Sequence, residues 1–104
     1  MGKTADTMAR IYLIETKTFY TNHDGNEHQL ADLGSLPHLF TSFKRAVKQM
    51  EICRKVHTEI FDETIVKNYR ADEITDQNCY DRFETRHNVT GSRTIVSLYK
   101  KDTL

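Results

Sequence analysis

The sequence predicts an α+β fold: one amphipathic helix covering a mostly antiparallel sheet of about four strands, in the order β-α-β-β-β. Three observations carry that expectation. Residues 10–20 form a β-branched and aromatic run, a helical periodicity extends from Phe40 or Phe43 to Thr58, and the C-terminal part holds two alternating segments joined by Thr90-Gly91-Ser92. The chain has 104 residues and a mass of 12.2 kDa, which leaves room for one core. A single domain is expected over residues 9–104, behind a flexible tail at 1–8.

In the first segment Ile11 and Leu13 share one face and Tyr12 and Ile14 the other, the pattern of an interior strand buried on both sides. Asn22 to Asn26 follows as a turn, because Asp24-Gly25 supplies the positive φ that a tight reversal needs. A short extra strand fits Glu27–Leu30, and Gly34-Ser35-Leu36-Pro37 reads as a loop, with Pro37 keeping Leu36 out of the helical region.

The helix is expected to be capped by Thr41 or Ser42, whose hydroxyl accepts a first-turn amide. Leu39, Phe43, Ala46, Met50, Cys53 and His57 follow helical spacing, and Val47 widens the stripe. Lys44, Lys48, Glu51 and Lys55 form the wet side. A strand with poor boundaries follows at Ile60–Tyr69, then a polar acidic loop at Ala71–Asn78. Tyr80–Val89 and Arg93–Lys100 make the clearest hairpin, and the second arm carries apolar groups on both faces, Ile95 and Tyr99 against Val96 and Leu98, as a central strand does.

A single helix cannot cover both faces of such a sheet. Tyr12, Ile14 and part of the set Val96, Leu98, Ile95 and Tyr99 are therefore expected to point away from it. Exposed apolar area of that kind marks a contact surface, so a homodimer through the sheet is expected, with Tyr12, Tyr69, Tyr80 and Tyr99 as protein-binding anchors.

Charge is balanced overall, 15 basic against 15 acidic residues, but blocked along the chain. Residues 44–55 carry a net +4, residues 59–81 a net −5 and residues 82–101 a net +4. On one reading the acidic block folds over the basic ones and neutralises them through surface ion pairs. On the other, Lys44, Lys48, Lys55, Arg82, Arg86 and Arg93 line one phosphate-binding surface and Tyr80 or Tyr99 stacks on a base. A pI near 7 favours the first, since nucleic-acid-binding domains are usually basic.

Cys53 and His57 lie one helical turn apart and, with Cys79 and His87, have the donor chemistry of a zinc site. They lack paired-cysteine spacing, and the apolar stripe already accounts for Cys53 as a small core residue. A Cys53–His57 nucleophile pair would need an orienting group, Glu51 or Glu59, and access from solvent. His23, Asp24, Glu27 and His28 fit turn formation and hydration better than a metal, His38 fits packing ahead of the helix, and the adjacent acids Asp62 and Glu63, like Asp72 and Glu73, fit a solvated face. No P-loop, dinucleotide glycine pattern, serine elbow or zinc-protease motif occurs. No catalytic residue, metal or cofactor is expected.

The longest apolar run, Ile11 to Ile14, is far too short to cross a bilayer, and no secretory pattern opens the chain. A cytoplasmic location with reduced cysteines is expected. The function expected is a small non-catalytic protein-interaction or regulatory module that self-associates through its open sheet face; the alternative is a nucleic-acid-binding module.

Overall fold

The computed structural model describes residues 10–30 and 38–102. Its elements are β1 (Arg10–Thr21), β2 (Glu27–Gln29), β3 (His38–Phe40), α1 (Phe43–Glu59), β4 (Glu63–Asn68), a short 3-10 turn (Ala71–Glu73), β5 (Cys79–His87) and β6 (Arg93–Asp102). The fold is α+β, one long helix on a fully antiparallel six-stranded sheet ordered β2-β1-β6-β5-β4. β3 lies on the same side of β1 as β2, pairing Tyr12 with Phe40 where β2 pairs Phe19 with Gln29. The expected tail at 1–8 and the loop at Gly34–Pro37 lie outside the described residues. Among the described residues, no helix is long and apolar enough to cross a membrane.

β6 is central, as its two apolar faces foretold. It pairs with β1 from Phe19↔Arg93 to Arg10↔Asp102 and with β5 from Arg86↔Arg93 to Cys79↔Tyr99. Both expected turns contain a glycine in the left-handed region, Gly25 at φ 85° and Gly91 at φ 74°. Asp24 Oδ1 accepts the Asn26 amide at 2.9 Å in the first. In the second, the His87 ring accepts the amides of Val89 and Thr90 at 3.2 and 3.0 Å.

α1 begins where Ser42 Oγ accepts the Arg45 amide at 3.3 Å. Its buried side places Ala46 and Met50 over Ile14, Phe83, Val96 and Leu98, with Tyr12, Phe40, Cys53 and Ile65 packed around them. At its end the amides of both Ile60 and Phe61 donate to Val56 O, and Asp62, at φ 55°, turns the chain into β4.

Four expectations need correction. The sheet has six strands rather than about four: β2 is the short extra strand expected at Glu27–Leu30, and the one not expected is β3, three residues that exist as a strand by pairing with β1. Leu39 belongs to β3 rather than the helical stripe, and it pairs with Leu13 on the sheet face away from the helix. The strand expected at Ile60–Tyr69 contracts to Glu63–Asn68, since Ile60 and Phe61 complete the helix end. Finally, Tyr12 and Ile14 face the helix, together with Val96 and Leu98, whereas Ile11, Leu13, Ile95 and Tyr99 face away. Both parities are apolar in β1 and β6, so alternation alone could not say which one the helix would cover.

Candidate interaction surfaces

The face of the sheet opposite α1 is crossed by a continuous chain of aromatic and charged side chains. Arg82 of β5 lies across β6, donating from Nε to Ser97 Oγ at 2.9 Å and from Nη2 to the Tyr99 hydroxyl at 2.9 Å. Its guanidinium carbon stands 5.6 Å from the Tyr69 ring and 6.0 Å from the Tyr99 ring. Tyr69 donates to Glu84 Oε1 at 3.4 Å, and Glu84 also accepts Arg93 at 3.4 Å. Arg93 covers the Phe19 ring at 4.7 Å and forks onto both oxygens of Glu27 at 2.6 and 3.1 Å. That guanidinium holds the Glu27 carboxyl below its usual range. Lys67 reaches over Tyr69 at 4.7 Å and pairs with Glu73 at 3.0 Å. Strand alternation explains the assembly: Arg82 and Glu84 flank the buried Phe83, so they must leave by the other face.

On the helix side, Tyr12, Phe43 and Tyr80 form a ring trio at the rim. Phe43 lies 5.3 Å from Tyr12 and 5.0 Å from Tyr80, and Tyr12 lies 6.3 Å from Tyr80. Tyr80 arrives there through a register shift between Cys79 and Asp81. Phe43 and Tyr80 stay 44% and 42% exposed, and Val47, one turn along α1 from Phe43, is exposed as well. The four candidate anchors are thus split, Tyr12 and Tyr80 on the helix side and Tyr69 and Tyr99 on the far face.

The six cationic candidates are split in the same way. Lys44, Lys48 and Lys55 occupy the outer side of α1, while Arg82, Arg86 and Arg93 lie on the far face, where Arg86 donates to Gly91 O at 3.1 Å. They do not form one surface. The acidic segment 59–81 spends its carboxylates mostly within itself and its neighbours: Glu73 on Lys67, Asp72 on Arg70, Glu63 on His57. From the basic helix it takes Arg54 alone, which forks onto Asp81 at 3.0 and 3.1 Å and also holds Glu51 at 2.7 Å.

No family model, curated protein or solved structure matches the chain. What it can do is read from its own geometry.

The cysteine and histidine candidates do not converge. The His57 ring turns to Glu63 rather than to Cys53; Cys79 opens β5 with its thiol donating to Asp81 O at 3.4 Å, and His87 is engaged by its own turn. Among the described residues, no three His, Cys, Asp or Glu side chains form a metal-holding group. At the β1–β2 turn His28 lies 3.9 Å from Asp24 and stacks on Tyr20 at 5.7 Å, whereas Glu27 is drawn off to Arg93.

Burial pushes both thiols up, Cys53 and Cys79 alike, away from the reactive thiolate form. The expected result is that iodoacetamide at neutral pH leaves both cysteines of the folded protein unmodified over a period in which the urea-unfolded chain reacts fully. Fast labelling of Cys53 in the folded state would reopen the nucleophile reading.

One polar constellation went unforeseen. Glu63, expected on a solvated face beside Asp62, is largely withdrawn from solvent, its side chain 11% exposed: its Oε1 accepts His57 Nδ1–H at 2.8 Å and also the hydroxyl of the fully buried Thr85. Asp62 instead turns outward and accepts Asn88 Nδ2 at 2.9 Å. The available signal was parity, since Glu63 alternates with Thr64 and so shares its face with Ile65.

Proposed function

We propose that the chain is a non-catalytic interaction module that pairs with a second copy of itself through the sheet face turned away from α1. The observation that carries this reading is the array in which Arg82 and Arg93 lie over the rings of Tyr69, Tyr99 and Phe19. Tyrosine and arginine are the side chains that anchor protein interfaces, because they offer large, pre-ordered contact area with polar ends. Here they are already held in place by Ser97, Glu84 and Glu27, so little further ordering is needed on contact. Ile11 and Ile95, both half-buried, share the face and supply its apolar component, while Leu13 beside them is already buried within the chain. Two free thiols suit a reducing compartment, in keeping with a cytoplasmic setting.

Light scattering coupled to gel filtration at high micromolar concentration tests the reading. The expected mass is twice 12.2 kDa. Ile95→Glu, on the proposed contact face, should return a single-chain mass while the far-ultraviolet spectrum stays unchanged. A single-chain mass for the unaltered protein would remove self-association.

A further inference from the structure

The outer side of α1 offers a second and separate surface. Lys44, Lys48 and Lys55 stand at positions i, i+4 and i+11, which a helix brings into one row along its axis. At 1.5 Å per residue the row places its stems about 6 Å and then about 10.5 Å apart. Neither these three nor Arg45 beside them has an ion pair among the described residues, in contrast to Arg54, Lys67, Arg70 and Arg93. The one acid within the row, Glu51, is held by Arg54. The charges are also placed against local stability, since Lys44 and Arg45 occupy the first turn, which contains no acid and where the helix dipole disfavours cations. Alongside the row runs the exposed flank of Phe43 and Val47, continued by Tyr80 and Tyr12.

From this juxtaposition we infer that the α1 lysine row and the Tyr12–Phe43–Tyr80 rim together bind single-stranded nucleic acid. The occupant follows from the chemistry. A line of unneutralised cations fits a linear polyanion, and exposed rings beside it offer bases a stacking platform that a purely acidic peptide does not use. The hairpin arginines take no part, because they lie on the opposite face. The neutral pI conceals the site, because most acids among the described residues are engaged elsewhere.

The test is fluorescence anisotropy with a labelled oligothymidylate of about 16 nucleotides, the upper end of a single-domain site. The same titration is run with a duplex of equal length and with poly-glutamate, at low and moderate salt. Oligothymidylate should bind best, with log affinity falling against log salt at a slope of about −2 for three lysine contacts. K44E/K48E should weaken binding about tenfold or more and flatten the slope. Y80A should weaken binding about tenfold through lost stacking, with little effect on the slope. Because Lys44 opposes the helix dipole, K44E/K48E should melt no lower than the unaltered protein, so a binding loss is not a folding loss. R82A should bind as the unaltered protein does. Absence of binding at low salt, poly-glutamate binding as tight as oligothymidylate, indifference to K44E/K48E, or an equal loss in R82A would each overturn the inference. I95E separates the two readings, since it should abolish pairing of copies and leave this binding intact.

Discussion

Phe83→Ala is expected to cost about 3–5 kcal/mol, the range for truncating a fully buried aromatic residue. Phe83 is the largest of the fully buried side chains and sits mid-strand in β5, opposite Val96 and beneath α1. Met50, Val96 and Leu98 belong to its core cluster. The Arg54 guanidinium lies 4.8 Å from its ring, and the His57 ring meets it edge-on at 6.0 Å. Removing the ring therefore opens a cavity between the two layers and leaves Arg54 and His57 without their apolar floor. Since a domain of this size is held by only about 5–15 kcal/mol, the variant should lose a large part of its urea midpoint or fail to fold at 37 °C. The comparison is Val89→Ala, at a turn position that is 80% exposed, where a change within about 0.5 kcal/mol is expected. A loss below about 1 kcal/mol in Phe83→Ala would mean that the helix does not close over β5.

The parts of this fold legible in sequence are those decided by local chemistry. The helix declared itself through Ser42 and the spacing of Ala46, Met50, Cys53 and His57, and the two turns through Gly25 and Gly91. β6 declared itself as central because Ile95 to Tyr99 is apolar on both sides. What was not legible depends on partners remote in sequence. β3 is three residues long, has no alternation to detect and exists because Leu39 and Phe40 pair with Leu13 and Tyr12. The facing of β1 was equally hidden, since Ile11 and Leu13 are as apolar as Tyr12 and Ile14.

The candidate surfaces show the same division. Counting charges located the blocks, but only the folded chain decides which carboxylate meets which cation. Arg93 is paired with Glu27, 66 positions away, while Lys44, Lys48 and Lys55, from a block with the same net sign, meet no carboxylate among the described residues. A zero total is therefore compatible with a locally unneutralised helix. Anchors chosen by residue type likewise included tyrosines from both faces, because tyrosine content gives no direction.

Glu63→Ala is expected to destabilise the protein by about 2–4 kcal/mol, because two buried donors lose their acceptor at once. The Thr85 hydroxyl has no access to water, and the His57 ring is nearly buried at the last turn of α1, so neither can be resolvated without opening the helix–sheet seam. Glu63 joins the two layers directly, since it begins β4, pairs opposite His87 and reaches both the helix and β5. Hydrogen exchange should accordingly accelerate first in the amides of the last turn of α1. Thr85→Val alone removes one donor and keeps the acceptor satisfied by His57, so its cost should be smaller. The effects should not add: the loss from Glu63→Ala should shrink by about 0.5–3 kcal/mol in the Thr85→Val background, the usual range for contacting residues. Strict additivity in that cycle, or a loss under about 0.5 kcal/mol for Glu63→Ala, would place the carboxylate in solvent. The truncation cost is not what the trio contributes to folding, since desolvating a carboxylate offsets much of what its bonds return. Replacing His57, Glu63 and Thr85 together by Leu, Leu and Val should therefore cost less than Glu63→Ala alone, a reversal expected only if unmet donors, rather than lost attraction, dominate the single variant.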